Sequence, residues 1–132
     1  MPSRFFVACL ILAISNVSAH AADANRGKTV FNQCRACHSI DRSGAKLIGP
    51  NLLGVFERTV GTVQGFPYSP AYLAAKSKDL KWTEENLMEY LNNPGPYLQK
   101  ISGDKSAQTK MIFRLPKEVD RQDVIAYLKT LK

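Results

Sequence analysis

The sequence predicts an all-α fold of short helices joined by long loops. Apolar residues recur at three- and four-residue steps in Leu87, Met88, Tyr90 and Leu91, and again in Val124, Tyr127, Leu128 and Leu131. Capping residues stand ahead of the candidate helices, and residues 28–45 hold no convincing alternating strand. The first helix opens on Asp23 as its cap and runs to about Cys34, with Val30 and Phe31 as its apolar face. Gly27 lies one turn before Phe31 and would let another helix approach closely; otherwise it only weakens the helix. Glycines at 44, 49, 54, 61 and 65 without a sustained period make residues 39–68 an irregular loop. Ser69-Pro70 is a cap followed by proline at the first helical position, opening a short helix through about Lys76. Thr83 caps the next helix, with Glu84 and Glu85 in the first turn, where the helix dipole favours anions. Asn93-Pro94-Gly95-Pro96 ends it, and residues 94–117 read as loop. The last helix runs from about Val119 or Asp120 to Leu131. There are no internal repeats.

Cys34, Cys37 and His38 spell C-x-x-C-H, the attachment signature of a covalently held c-type haem. Residues three and four apart share a helical face, so two thiols can meet the two vinyl groups of one porphyrin. The adjacent imidazole is then presented to the iron. Structural zinc normally needs four Cys or His ligands, and outside the motif the chain offers only Cys9 and His20. A thioredoxin-like thiol pair would need a βαβ surround, for which no strand pattern is present.

The N-terminus reads as an export signal. Arg4 gives a positive start, Phe5–Ile14 is an unbroken apolar run with Cys9 inside it, and Ala19-His20-Ala21 is a small-x-small cleavage pattern. The run is well short of the roughly 20 residues that cross a bilayer as a helix, so a retained membrane tether is the weaker alternative. Residues 1–21 are therefore expected to be a cleavable signal peptide, and residues 22–132 a single domain in the periplasm. The two cysteines left after cleavage are both committed to haem. The formal charge of +7 loses only Arg4 with the leader. Export argues against nucleic acid as the target of this basic surface; an acidic redox partner is the sharper expectation.

Iron held by His38 has a second face. With His20 removed, methionine, lysine, a small exogenous ligand or an open site remain. Met88 sits among apolar helix neighbours, where core packing explains it. Met111 follows Thr109-Lys110 in a loop and is the favoured ligand, since His/Met ligation is an electron-carrier pattern. The other reading is a loop methionine that only covers the ring.

Across essentially the whole chain after the leader, Cys34–His38, Gly49-Pro50-Asn51-Leu52, Gly65-Phe66-x-Tyr68, Trp82, Leu87-Met88-Glu89-Tyr90-Leu91, Asn93-Pro94, Thr109-Lys110-Met111-Ile112-Phe113 and Asp123–Leu128 follow one another in a distinctive order. In this it resembles class I cytochrome c, in particular the soluble bacterial carriers closest to mitochondrial cytochrome c. The resemblance implies one haem c bound through Cys34 and Cys37, with His38 and Met111 as axial ligands. It also implies that the first and last helices pack together, Gly27 and Phe31 against Tyr127. The Pro50 carbonyl would accept a hydrogen bond from His38 and raise its basicity. Tyr90 and Thr109 would surround the methionine and inner propionate, Arg58, Tyr68 and Trp82 would satisfy the propionates, and Phe113 would cover the methionine-side edge. Two stretches, Ser69–Lys81 and Pro94–Met111, are longer than in the short mitochondrial pattern, and the second leads into the ligand loop.

The implied function is a monomeric single-electron shuttle, not an enzyme. Its partners would be acidic docking faces of redox proteins such as a quinol-oxidising cytochrome bc complex and a terminal oxidase, reaction centre or dehydrogenase. Lys28, Lys46, Lys110 and Lys117, with Lys100 and Lys105, are candidates for a basic collar. The alternative is a five-coordinate haem protein with gas-binding or peroxidase activity.

Overall fold

The computed structural model describes residues 20–132 and contains, among them, five helices: α1 (Ala24–Phe31), α2 (Pro70–Ser77), α3 (Glu84–Asn92), α4 (Pro94–Ser102) and α5 (Glu118–Leu128). An isolated antiparallel bridge between Thr59 and Lys81 is the sole sheet-like pairing among the described residues. The expected signal segment lies outside them, Cys9 included, apart from His20 and Ala21.

Asp23 caps α1, its carboxylate accepting from the amides of Asn25 at 2.7 Å and Arg26 at 3.3 Å. The helix ends at Phe31, three residues before the expected Cys34. Beyond it the ladder tightens: Asn32, Gln33 and Cys34 each donate to the carbonyl three residues back. Thr83 caps α3 as expected, accepting from the Asn86 amide at 3.2 Å. Ser69 occupies the N-cap position of α2 but makes no side-chain cap bond; its hydroxyl donates to the Gln108 carbonyl at 3.4 Å.

The stretch after Asn93 corrects the loop expected over residues 94–117, because Pro94–Ser102 is helical. Pro94 and Pro96 lie in the first turn, where amide hydrogens have no intrahelical acceptor to lose. Tyr97 and Leu98 are buried beneath this helix, Ile101 packs against the core, and Gly103 ends it with a left-handed φ of 74°.

The main helix contact is α1 against α5. A Cβ on Gly27 would overlap the backbone carbonyl of Asp123, so only glycine permits this approach. Phe31 is fully buried, with its ring 5.2 Å from that of Tyr127. At the same junction the Asp123 carboxylate, 2% exposed, accepts from the Asp23 amide at 2.8 Å and the Arg26 guanidinium at 2.8 Å. His20 Nε2 lies 3.0 Å from Asp123 and 3.0 Å from Arg26. α3 bridges α5 and α4, and α2 packs on α4. The core of Val124, Ile125, Leu128, Leu87, Leu91 and Leu98 fills the space between these helices.

Candidate haem-binding site

The C-x-x-C-H residues form one tight turn directly after α1. The Cys34 carbonyl accepts from both the Cys37 amide at 3.1 Å and the His38 amide at 2.9 Å, which brings the three side chains around a common centre. Both cysteines are free thiols. Burial pushes the Cys34 thiol up to about 11, with Cys37 adding to the shift, so Cys34 is not poised for thiolate redox chemistry. No group of three or more His, Cys, Asp or Glu able to hold a metal ion is present among the described residues.

His38 Nδ1 stands 2.8 Å from the Pro50 carbonyl. A carbonyl only accepts, so Nδ1 carries the proton and Nε2 keeps its lone pair. Burial lowers the imidazole's proton affinity, and the Pro50 bond partly opposes this. A neutral ring with a free nitrogen is the form that binds metal. Gly49 makes room for it: its amide donates to the Cys37 carbonyl at 2.7 Å, and a Cβ there would overlap the His38 ring.

A mostly apolar cavity of about 350 Å³ opens beside this turn. Cys34, Cys37, His38, Pro50, Arg58, Tyr68, Trp82, Tyr90, Met111 and Phe113 all line it. Thr109 alone among the expected site residues stands behind the wall, its Oγ1 accepting from the Met111 amide at 3.0 Å. Met111 Sδ accepts from the Tyr90 hydroxyl at 3.2 Å. Burial raises the Tyr90 phenol well above its ordinary value, so it remains a donor. Met88 is half-buried against the core and does not line the cavity. His20 also lies elsewhere, at the α1–α5 junction.

Arg58 donates to the carbonyls of Leu53 at 3.1 Å and Asn51 at 3.0 Å. Burial lowers its proton affinity, and among the described residues it makes no ion pair. A half-buried cation held by neutral carbonyls at a cavity wall suits an anionic group of the occupant. Tyr68 accepts from the Val63 amide at 3.3 Å, and its ring packs against Phe66 and Tyr72. Trp82 is stacked with Tyr97 and tilted against Tyr90, so it is both wall and core. Ile48 and Ile112, 76% and 88% exposed, border the mouth together with Lys110.

The residues present therefore fit an iron porphyrin. They supply two thiols for thioether bonds, an imidazole with its free nitrogen available, a thioether sulfur in the same cavity, and an unpaired guanidinium for a carboxylate. Two contributors were not singled out from the sequence. Gly49 was visible only as part of Gly-Pro-Asn-Leu, and Tyr72, a wall residue on α2, carried no signal of its own.

These features define a c-type haem protein of the all-α class. The cytochrome c family model matches residues 24–132. Cytochrome c2 of Rhodospirillum rubrum is 47% identical over 110 residues, covering 83% of this chain and 98% of that protein. Cytochrome c-550 of Novispirillum itersonii is 46% identical over 110 residues, covering 83% and 99%. The solved structure of cytochrome c2 from Rhodospirillum centenum gives a TM-score of 0.78 at 39% identity, covering 84% of this chain and 99% of that one. The chain belongs to the cytochrome c family. It binds one covalent c-type haem, and its class is that of electron-transfer proteins rather than enzymes.

Proposed function

We propose that this electron carrier holds its haem through Cys34 and Cys37, uses His38 and Met111 as axial ligands, and moves single electrons between membrane-bound redox complexes. The observation that carries the reading is the shared cavity of His38 and Met111, the first with Nε2 free and the second with its sulfur fixed by Tyr90. When bound, the haem supplies the Fe(II)/Fe(III) couple. His38 is oriented by Pro50, which strengthens it as a donor. Met111 and the apolar walls favour the reduced, less charged iron. Arg58, Tyr68 and Trp82 attend the propionates, Thr109 supports Met111, and Phe113 closes the methionine-side edge.

Residues 1–21 serve as a cleaved export signal, which leaves residues 22–132 as a monomeric domain in the periplasm. Its partners are acidic faces of a quinol-oxidising cytochrome bc complex and of a terminal oxidase, reaction centre or dehydrogenase. Among the collar candidates, Lys110 is exposed at the cavity mouth, and Lys28, Lys46, Lys105 and Lys117 are exposed. Lys100 is held by Glu89 at 2.8 Å and adds little free charge.

The test is the visible spectrum of the oxidised, matured protein. A low-spin spectrum with the weak long-wavelength band of an iron–thioether bond is expected, and Met111→Ala should abolish that band. A high-spin spectrum of the wild type at neutral pH would return the reading to an open-faced haem that binds gases or turns over peroxide. N-terminal sequencing of the exported protein should begin at Ala22; an intact Met1 would overturn cleavage.

A further inference from the structure

The seam between α1 and α5 also holds the residues at which the expected leader ends. Asp123 Oδ1 accepts from the Asp23 amide at 2.8 Å and from His20 Nε2 at 3.0 Å. Arg26 is engaged on every arm. Its Nε donates to Asp123 Oδ2 at 2.8 Å, its Nη1 to Asp23 Oδ2 at 3.2 Å, and its Nη2 to the Ala21 carbonyl at 3.0 Å. The Asp23 carbonyl in turn accepts the Gly27 amide at 2.9 Å as α1 begins. The Ala21–Ala22 peptide is therefore anchored on both sides, by His20 and its own carbonyl before it and by Asp23 just after it. The side chains of Ala21 and Ala22 are exposed, so the fold leaves the bond in view but takes its oxygen.

That oxygen belongs to the reacting group. A peptidase working by acyl transfer must draw the scissile carbonyl onto donors of its own, and it needs the flanking chain free to enter its groove. Here the oxygen is already bonded to a guanidinium whose other arms are fixed by Asp23 and the buried Asp123. Resting on the reading of residues 1–21 as a cleaved leader, we propose that the α1–α5 seam is a lock on the processing site. The Ala21–Ala22 bond is cut while α5 is undocked and becomes resistant once Asp123 is in place. Asp123 lies 100 residues beyond Asp23, so the lock is absent until nearly the whole domain has been delivered. Cleavage takes only His20 and the Ala21 carbonyl from the seam, and Arg26, Asp23 and Asp123 complete it in the mature chain. A chain that folds first keeps its leader.

The test offers full-length precursor to a purified leader peptidase in detergent and reads the cut by mass. One form is the holoprecursor, matured without export; the other is the haem-free precursor carrying Cys34→Ser and Cys37→Ser. Both are held in the urea concentration at which circular dichroism shows the first native and the second unfolded. The native form should be cut at Ala21–Ala22 more slowly by about tenfold or more, because cutting then follows the rare opening of the seam. His20→Ala leaves every mature residue and the small-x-small pattern intact. It should raise the native-to-unfolded rate ratio by about two- to tenfold, the range one hydrogen bond supplies. Arg26→Gln, which frees the Ala21 carbonyl, should raise the ratio further. Equal rates for the native and unfolded forms overturn the proposal. So does a low ratio that neither substitution moves, since the fold at large and not the seam would then protect the bond. If Arg26→Gln yields no native holoprecursor, an unmoved ratio in His20→Ala overturns it equally. An unfolded form left uncut at Ala21–Ala22 refutes the leader reading itself, whereas two forms cut alike refute only the lock.

Discussion

Gly49 shows how a site depends on an atom that is missing. Its neighbour in space is the imidazole of His38, and any side chain there would occupy the ring's position. Gly49→Ala is therefore expected to displace His38 from Pro50. The measurable result is loss of the low-spin spectrum or failure to accumulate haem-bearing protein; an unchanged spectrum would show that the loop can yield. This requirement was not legible, because Gly49 and His38 are joined by an aperiodic loop and meet only after folding. The attachment motif was legible for the opposite reason: thioether chemistry dictates the spacing of Cys34, Cys37 and His38 within one turn. Tyr72 was hidden because its hydroxyl partners lie 18 and 37 residues further along the chain.

Between elements, the α1–α5 junction is set by Gly27 and Asp123. Alanine at an exposed helix position would gain about 1 kcal/mol over glycine. At Gly27 it meets backbone rather than a flexible side chain, so overpacking of about 3 kcal/mol or more should win. Thermal melting of Gly27→Ala should show a clear fall; a rise would mean that the helices separate freely. The Asp123 carboxyl is held well below the usual carboxylate range, first by the Arg26 guanidinium and then by the Asp23 amide, both of which remain after cleavage at Ala21, against the opposing effect of burial. A depressed folded pKa gives stability that is complete above the unfolded value near ~3.9 and is lost as pH falls through the folded one. Asp123→Asn should therefore destabilise by about 2–3 kcal/mol at neutral pH, since Arg26 is half exposed and recovers some hydration. The gap from wild type should narrow below about pH 4, and a gap independent of pH would dissociate the carboxylate from the effect. Caps and apolar steps made α2, α3 and α5 legible to within a few residues. α4 was missed because its two prolines read as breakers, although Pro94 at the start and Gly103 at the end mark a helix of this length.

At the scale of the molecule, charge governs encounter and the cavity governs integrity. The formal net charge is +7 for the full chain. Reduction of an acidic partner should slow by about tenfold or more from low to physiological salt, while a flat profile would exclude steering. Lys110→Ala should reduce the rate more than Lys100→Ala, because Glu89 already neutralises Lys100. The fold class and the cofactor were readable from the whole chain. The sequence could not say which lysines are free, since pairing such as Lys100 with Glu89 spans two helices. The central cavity has a further consequence. Its mouth is open to water, so without haem its mostly apolar wall would stay wetted and forgo about 25 cal/mol for each Å² that the porphyrin would otherwise cover. Cys34→Ser with Cys37→Ser should therefore give a largely unstructured chain by circular dichroism, and native helicity in that variant would contradict this. On that expectation the polypeptide would stay pliable until its prosthetic group is installed. Both sulfurs would then remain reachable by whatever machinery performs the installation, and maturation and the acquisition of shape would be one event.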